Sequence, residues 1–440
     1  MDYRVERITS GSKHHLFGFH DIVASNLEGD KILSLEANVI NRPPLPNESF
    51  GVGYALWQEQ RFVRLGETVA MNYPQGARQQ WLDSSTFIVN NKVGDHWGAD
   101  IYDVDIERKI ASIDSTAHCV TKDGKWAFGI NYSRLHRLGG YGYIGIEDST
   151  SCQEIPTNDG IWKTDIQSNH TTLLVSIADV ANTDSSSSAM TGFHHYVTHL
   201  VLSPDNKRIA FLHRFFLADG GIRTRLMTIG VNGEDCRCLA HGFLSHFAWK
   251  DNDHIYIWGR SGSSIDSIRN NAFFSNPLVK PMLGVMKGIA RKILHKSSGM
   301  QMSFLMCRDQ NDSEIFPMAK GIITCDGHPM TCPTNSDLCI CDTYPLQDKH
   351  RELFFYDFNK NERYLIGRFF MGSLRPDTTS FAEYTKGVDK HVLSKISSKL
   401  YSFSRSGLHC DLHPRWDSLG RFCIFDSIHE GTRQVYIVRK

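Results

Sequence analysis

Apolar runs of strand length, separated by turn residues, recur along the chain. At His199 the segment HLVLSPDNKRIAFLH starts with a polar residue, continues as a mostly apolar run, turns at Ser-Pro-Asp-Asn and ends in a second apolar run. Proline fixes its own φ, and Asp and Asn tolerate tight turns, so this segment predicts a β-hairpin. The same order of head residue, strand, turn and strand starts again at His246, His328 and His413.

Weaker copies of this unit start at His20, Arg78 and Ala117, which makes seven copies in all. The pattern predicts an all-β fold, a seven-bladed β-propeller with helical or irregular insertions, as a single domain over residues 1–440. The terminal run QVYIVRK is expected to pair with DYRVERI near the start of the chain. The alternative is two β-sandwich domains, but no Pro-, Gly- or Ser-rich linker divides the chain into halves.

Two segments interrupt the repeat. The first, at about residues 262–313, includes a basic stretch, 280–296, whose apolar residues fall near helical spacing. This stretch predicts an amphipathic helix that either packs on the rim of the propeller or contacts a membrane surface or a protein partner. The second, at about residues 376–404, is polar and is expected to be irregular or helical.

Charge and cysteine content restrict the partners and the compartment. Lys+Arg and Asp+Glu both number 48, so the chain has no basic excess and nucleic acid is not an expected partner. We see neither the apolar core of a secretory signal nor an apolar run of membrane-spanning length. The eleven cysteines include no Cys-x-x-Cys pairs, which favours reduced thiols in a cytoplasmic protein.

The head residues of the repeat are the candidate functional residues. In a propeller the innermost strand of each blade starts near the central channel, so the heads are expected to converge there. Five of the seven heads are histidine: His20, His199, His246, His328 and His413. Together with carboxylates, imidazoles suit a divalent ion such as Mn or Zn and also acid–base catalysis. The alternative is that the heads are structural and bond to the backbone or to neighbouring strands.

The segment HCDLH adds a carboxylate to this set. If it is one extended strand, the period of two places His409, Asp411 and His413 on the same face. His409 has no counterpart in the other copies of the repeat and is the weakest of the three candidates.

Other polar residues are candidates for substrate contact. Arg223 and Arg225 could bind a substrate carboxylate in a bidentate manner. Further candidates for substrate binding are Arg78, His15, Arg415 and Tyr196. A Ser-His-Asp hydrolase has no support, because the sequence contains no Gly-x-Ser-x-Gly.

From His199 onward the chain resembles the oligogalacturonate-lyase-like seven-bladed propellers. The resemblance rests on HLVLSPDNKRIAFLHRF, SHFAW, DGHPMTCP and HPRWDSLGRFCIFDSIHEGTRQVYIV. In that family a divalent metal, held largely by histidines, binds the uronate carboxylate, and an arginine and a histidine assist proton abstraction. The resemblance therefore implies an enzyme that cleaves uronate-containing oligosaccharides or polysaccharides by β-elimination.

The family roles map onto particular positions of this chain. The resemblance implies that His328 and His413 are metal ligands, with Asp411 at the position of a further family histidine. Leu408 stands at the position of a family glutamine and cannot bind a metal. His246 matches the histidine near the sugar, and Arg223 or Arg225 would match the arginine.

We also assign the heads His199 and His20 to catalysis. Two other functions stay open. The same pocket could serve a propeller glycoside hydrolase, or the protein could be a non-catalytic propeller that binds a glycan or a protein.

Overall fold

A computed structural model describes residues 3–183, 193–217, 221–261, 302–372 and 374–439. These residues form 27 strands and five helices, so the fold is all-β as predicted. After the first strand, β1 (Arg4–Arg7), each sheet is built from strands that follow one another in the chain and pair antiparallel.

The first three sheets each contain four strands. The first consists of β2 (His14–Leu16), β3 (Lys31–Ala37), β4 (Phe50–Leu56) and β5 (Arg61–Thr68). The second consists of β6 (Gln80–Trp81), β7 (Thr86–Val93), β8 (His96–Asp103) and β9 (Arg108–Ile113). The third consists of β10 (Cys119–Val120), β11 (Trp126–Ile130), β12 (Gly160–Asp165) and β13 (His170–Ser176).

The next sheet has seven strands because one long strand serves two neighbours. Its strands are β14 (His195–Leu202), β15 (Arg208–Phe216), β16 (Ile222–Gly230), β17 (Arg237–Trp249), β18 (His254–Ser261), β19 (Ser303–Arg308) and β20 (Ile315–Met318). The first part of β17 pairs with β16, up to the pair Thr224↔Gly242. The remainder pairs with β18, from Gly242↔Ser261 to Trp249↔Ile255. Thus β17 is the outer strand of one four-stranded unit and the inner strand of the next.

Two further four-stranded sheets complete the fold. One consists of β21 (Met330–Cys332), β22 (Asn335–Asp342), β23 (His350–Asp357) and β24 (Glu362–Phe370). The last consists of β25 (Arg415–Trp416), β26 (Cys423–Ser427), β27 (Gln434–Arg439) and β1. The pairing of β1 with β27 was predicted and is confirmed, with Arg4 opposite Arg439. With β17 counted in both of its units, the described strands form seven blades of a β-propeller.

Apolar residues from adjacent blades pack together between the sheets. One buried cluster joins Leu35 of the first blade, Val89 of the second, and Ile424 and Ile437 of the last. Each inner strand is short or largely buried, whereas outer strands such as β5 and β9 are exposed or half-buried along most of their length. The packing therefore directs the first residues of the inner strands toward the centre of the ring.

The helices lie outside the blades. They are α1 (Tyr132–Gly139), α2 (Ile177–Ala181), α3 (Phe381–Tyr384), α4 (Lys390–Leu393) and α5 (Ser398–Arg405). The last three form the predicted insertion of about 376–404, and Tyr384 and Tyr401 pack there against Ile144. Among the described residues no helix has the length and apolar content that a bilayer crossing requires.

The other predicted insertion, at about residues 262–313, ends earlier in the structure than predicted. Residues 262–301, with the basic stretch 280–296, lie outside the described residues. From Ser303 the chain forms β19, which pairs with β18. The predicted end at about residue 313 was therefore wrong, because the apolar run SFLMC belongs to a blade.

Candidate functional site

Five histidines from different blades surround the ring of Phe19 at the centre of the propeller. The centroid of the Phe19 ring lies between 4.4 and 6.1 Å from their imidazole centroids. They are the five histidine heads of the repeat: His20, His199, His246, His328 and His413. All six side chains are buried. The structure therefore brings the predicted head histidines together, around an aromatic ring that the sequence did not indicate.

The backbone at the heads is unusual. Arg78, His199 and His413 have φ values of +56°, +58° and +43°, in the left-handed region that non-glycine residues rarely adopt. Such conformations persist only where the surrounding structure holds them, and they cluster at functional sites. Three blades thus share this strained conformation at the same repeat position.

Phe19 and His20 reach the centre through an interruption of the first inner strand. Strand β2 ends at Leu16, and its line resumes only at Ser25, which bridges to Ile32. Gly18 makes this excursion feasible, because its φ is +128° and a Cβ there would lie 2.6 Å from the Gln75 carbonyl oxygen.

Asp411 is the carboxylate of the site. Its Oδ2 lies 3.9 Å from Nε2 of His328 and 3.8 Å from Nε2 of His413. Its Oδ1 lies 2.6 Å from Nη2 of Arg351. Burial alone would raise the pKa of Asp411, but the charge of Arg351, helped by His409 and His328, holds this pKa well below its usual range. Asp411 is therefore an ionised carboxylate.

Asp342 fixes the orientation of His328. Nδ1 of His328 lies 2.9 Å from Oδ1 of Asp342, which leaves Nε2 on the side of Asp411. Burial would lower the pKa of His328, but Asp342 and Asp411 outweigh this effect and raise the pKa. A carboxylate behind an imidazole is the usual partner of a metal-binding histidine.

The same aspartate shapes the backbone before β25. Oδ2 of Asp342 accepts hydrogen bonds from the backbone N–H groups of Leu412 (3.0 Å) and His413 (3.2 Å). These bonds and the positive φ of His413 keep residues 409–414 out of a strand. The predicted extended strand over His409–His413 was therefore wrong. His409 still approaches the site, with Nδ1 3.3 Å from Oδ2 of Asp411.

The donor set of this cluster fits a divalent metal. One potential ligand atom from each of His328, Asp411 and His413 lies within 4.8 Å of the other two. Nδ1 of His413 is buried and has no hydrogen-bond partner. Burial, followed by the charge of His328, lowers the pKa of His413 well below its usual value, which favours the neutral form that binds metals. Two imidazoles and one carboxylate suit Mn or Zn.

Two of the other histidines are held with one nitrogen available. Nδ1 of His20 donates to the Pro329 carbonyl at 2.7 Å, so Nε2 carries the lone pair. Nδ1 of His246 lies 3.1 Å from Oδ1 of Asp326. Burial is the main cause of a pKa well below the usual value at both His20 and His199. Neutral imidazoles can accept a proton.

Several residues of the site were not predicted. Nη1 of Arg214 donates to the hydroxyl of Tyr141 at 2.9 Å, and the Tyr141 ring lies 6.1 Å from that of His199. After burial, the charge of Arg214 is the next cause of the lowered pKa of His199. The ring of Tyr344 lies 5.5 Å from that of His328. Arg214 is thus an arginine beside the head histidines.

The head of the third blade is displaced by one residue. His118, rather than Ala117, supplies the buried imidazole, with Nδ1 2.8 Å from the hydroxyl of Tyr132. Ala117 stands two residues before β10, as Arg78 does before β6, but the imidazole of this blade comes from the next residue.

The structure does not bring Arg223 and Arg225 to the head histidines. Both lie on β16, two strands outward from β14, where Arg225 donates to the Val180 carbonyl at 3.1 Å. Arg223 contacts Nδ1 of His241 on the adjacent β17. The alternating pattern of this strand gave no indication of its distance from the channel.

Other predicted substrate contacts are engaged inside the protein. Nδ1 of His15 lies 3.0 Å from Oε1 of Gln434, between the first and last blades. Arg78 binds Asp21 through two hydrogen bonds of 2.9 and 2.8 Å, and its side chain is fully buried. Arg415 donates to the carbonyls of Gly18 and His413, so it braces the excursion that carries Phe19.

Tyr196 lies close to the site but is enclosed. It is buried on β14 opposite Arg214, and both Tyr141 and Arg214 contact its side chain. Burial raises the pKa of Tyr196. The tyrosine therefore positions Arg214 and Tyr141 beside His199.

Known proteins resemble this chain in structure but not in sequence. No protein-family model matches the chain, and no curated protein matches it by sequence. A solved oligogalacturonate lyase from Vibrio parahaemolyticus is 12% identical, with 100% of this chain and 97% of that chain covered and a TM-score of 0.55. An oligogalacturonate lyase in complex with manganese is 11% identical, with 99% and 92% covered and a TM-score of 0.56. The described part of the chain therefore has the fold of the solved oligogalacturonate lyases.

Proposed function

We propose that this protein is a lyase that cleaves uronate-containing oligosaccharides by β-elimination at the centre of the propeller. The observation that carries the proposal is the buried group His328, Asp411 and His413, whose ligand atoms lie within 4.8 Å of one another beside three further histidines. Such a site combines what the reaction needs, which is a positive charge for the uronate carboxylate and a neutral base for its C5 proton.

The reaction balances without an added reactant. A base takes the C5 proton, the electron pair forms a C4–C5 double bond, and the glycosidic C4–O bond breaks with protonation of the leaving oxygen. The C5 proton becomes acidic only when the neighbouring carboxylate is neutralised. A divalent ion bound by His328, Asp411 and His413 would supply that charge.

The base is assigned to His246. Nδ1 of this residue lies beside Asp326, which orients the imidazole and leaves Nε2 for the substrate. The proton that His246 takes from C5 is then available for the leaving oxygen, and the neutral imidazoles of His20 and His199, 6.1 and 6.3 Å from His246 between ring centroids, are the alternative bases. Arg214 replaces Arg223 and Arg225 as the proposed arginine, because it contacts Tyr141 beside His199.

Manganese is the first choice of metal. One similar solved structure is a manganese complex of an oligogalacturonate lyase. The donor set of this chain differs from the one that the family resemblance implies, because Asp411 stands in place of a histidine and Leu408 in place of a glutamine. Carboxylates suit Mn, and imidazoles suit Zn, so zinc is the alternative.

The test measures the formation of the double bond. Full-length protein is incubated with oligogalacturonate and with other uronate oligosaccharides, with and without Mn or Zn, and the ultraviolet absorbance of unsaturated uronate is followed. We expect an increase that His246→Gln abolishes and that His254→Gln, a histidine bound to Asp251 at the start of β18, leaves unchanged. No increase with any of these substrates, under any metal condition, would contradict the proposal.

One observation favours a non-catalytic alternative. Phe19 is only 5% exposed, and the five histidines around it are between 1% and 8% exposed. A propeller that binds a glycan on its outer surface would need no access to this centre. That alternative predicts that His246→Gln and His413→Gln leave glycan binding unchanged. A propeller hydrolase, the other alternative, would instead release products without a new double bond.

A further inference from the structure

The inserted helices α3, α4 and α5 cross the face of the ring. They connect β24, the outer strand of the sixth blade, to β25, the inner strand of the seventh. Between these points the ring of His391, in α4, packs 5.2 Å from that of Phe216, at the end of β15 in the fourth blade. In a ring of seven blades, the fourth lies across the ring from the junction of the sixth and seventh. The insertion therefore spans the ring instead of staying beside the blades that it connects.

Strand direction shows on which end of the ring the insertion lies. Antiparallel strands alternate in direction, so the connection between the second and third strands of a blade returns to the end where the first strand begins. Phe216 precedes such a connection in the fourth blade, and α1 is part of one in the third. The head histidines stand near the starts of the first strands. The insertion therefore lies over the same end of the ring as the heads.

Helix α5 contacts side chains on two sides of the central site. The ring of Phe403 lies 5.4 Å from that of His409, beside the proposed metal ligands. The guanidinium carbon of Arg405 lies 5.5 Å from the ring centre of Tyr141, whose ring is 6.1 Å from that of His199. One helix thus covers the site on the side of the seventh blade and on the side of the fourth, which explains part of the burial of the head histidines.

The two ends of the insertion meet at one loop of the first blade. The backbone N–H of Asp377 donates to the Asn41 carbonyl at 2.7 Å, and that of Leu408 donates to the Ile40 carbonyl at 3.2 Å. Gly407 packs so closely there that an added Cβ would lie 2.7 Å from Cβ of Ile40. Both ends are therefore fixed at neighbouring residues, as the two sides of a hinge would be.

The middle of the insertion is held by polar contacts with the last turn of α1. The carbonyls at the end of a helix lack intrahelical donors, so they are free to accept bonds from elsewhere. Asp389 N–H, Nη2 of Arg405 and the hydroxyl of Tyr401 donate to the carbonyls of Arg137 (2.9 Å), Gly139 (3.2 Å) and Gly140 (3.4 Å), and Nε2–H of His136 donates to the Lys386 carbonyl (3.1 Å). Water can replace each partner, so separating these groups costs little free energy.

The interface between α1 and the insertion is incompletely packed. A small recess, with room for about one water, lies between His136 and Tyr141 on one side and Tyr401 and Arg405 on the other. Nε of Arg405 is buried without a hydrogen-bond partner. Interfaces with few apolar contacts and polar gaps belong to the parts of a protein that open first.

We propose that the insertion is a lid, which opens about its two ends at Asp377 and Leu408 and gives ligands access to the head histidines. The structure shows the lid closed. Opening separates α5 from His409 and Tyr141 and exchanges the bonds to residues 136–140 for bonds to water. Such access is needed whether the site cleaves uronates or only binds a ligand, so a lid can exist even if the proposed reaction is wrong.

The test measures how fast buried histidines react with diethyl pyrocarbonate, which modifies neutral imidazoles that solvent reaches. Full-length protein is treated near neutral pH, and the modified peptides are quantified by mass spectrometry. His20 and His199 report opening of the lid. His213 reports unfolding of the blades, because it is buried on β15 with both ring nitrogens in contact with other side chains. Burial lowers the pKa of all three, so all are neutral in this experiment.

We expect His20 and His199 of the wild type to react faster than His213, because local opening exposes them. Phe403→Ala removes the contact with His409, and Arg405→Gln removes the bond to Gly139. Each variant weakens only the closed state, so each should raise the rates at His20 and His199 about tenfold and leave His213 unchanged. Leu400→Ala, on the exposed side of α5, is the matched control and should change none of the rates.

Three results would overturn the lid. Equal rates at His199 and His213 in the wild type would show that the site opens only when the blades unfold. Rates at His20 and His199 that neither folded variant changes would show that access does not depend on the insertion. A parallel rise at His213 in both variants would indicate general destabilisation. Far-ultraviolet circular dichroism and thermal unfolding identify a misfolded variant, in which case the other variant decides.

Discussion

The carboxylate of Asp342 binds His328 twice, through Nδ1 at 2.9 Å and through the backbone N–H at 2.7 Å. Its other oxygen accepts the backbone N–H groups of Leu412 and His413 from the next blade. One buried carboxylate therefore orients the first proposed metal ligand and fixes the backbone of the second.

Asp342→Asn is expected to weaken metal binding. The asparagine amide cannot accept from every group that the carboxylate now serves, so His328 loses its fixed orientation. Loss of such a partner behind a metal ligand typically lowers affinity by about 10- to 100-fold. Titration of the full-length protein with Mn, followed by calorimetry, measures the change. Asp337→Asn on the same strand is the control, and equal affinity in the two variants would contradict the prediction.

Arg351→Met is expected to destabilise the fold, because it leaves the carboxylate of Asp411 buried without its 2.6 Å partner. Breaking a buried ion pair at one side costs about 3–5 kcal/mol. Urea unfolding measures the loss, and the double variant Arg351→Met/Asp411→Leu should recover part of it. Arg368→Met, which breaks an exposed pair with Asp348, should cost under about 1 kcal/mol. A loss no larger than this control would count against the prediction.

Stability is expected to fall as the pH falls below about 6.5, in part through His136. Burial lowers the pKa of this residue to about 4, although Nε2–H donates to the Lys386 carbonyl. The unfolded chain, with a pKa near about 6.5, binds the proton first, so the contribution of His136 is complete above that pH and is lost toward pH 4.

The size of this effect can be measured by substitution. Between pH 7 and pH 5, His136 should account for about 2 kcal/mol of the free energy of unfolding. His136→Gln keeps a donor for the Lys386 carbonyl and removes the titration. Urea unfolding of both proteins at the two pH values should show a smaller loss for the variant, and equal losses would contradict the assignment.

Gly18→Ala is expected to displace Phe19 and His20. An added Cβ would lie 2.6 Å from the Gln75 carbonyl, and φ is +128°. Gly11→Ala is a matched control, because φ is +99° there but no atom lies within 4 Å of the added carbon. Both variants bear backbone strain of about 1–3 kcal/mol, but only Gly18→Ala adds a clash. Thermal unfolding should separate them, and identical melting temperatures would exclude the clash.

The repeat in the sequence located the inner strands because each needs a polar entrance before an apolar run. His328 and His413 each stand two residues before an inner strand, β21 and β25, as the pattern predicted. Where the copy was weak, at Ala117, the prediction missed His118 by one residue. The pattern therefore predicted the fold and the residues that converge on the centre.

The residues that support those heads could not be predicted from one sequence. Asp342 and Arg351 lie on β22 and β23, and their contacts with Asp411 and His413 span a separation of about 60 to 70 residues. Arg214 and Arg225 lie on neighbouring strands with the same alternation, and only the order of the strands separates them. The positive φ of His413 depends on hydrogen bonds to Asp342 in another blade, and the period of a strand gives no information about such a contact.

Because two blades share β17, we expect them to unfold locally as one unit. A strand whose thirteen residues complete one blade and begin the next cannot leave either ladder without disturbing the other. Neighbouring repeats usually contact each other through side-chain packing, whereas these two blades also share one hydrogen-bonded strand. Amide protons of β16 and β18 should therefore exchange with solvent at similar, slow rates, as parts of a single opening unit.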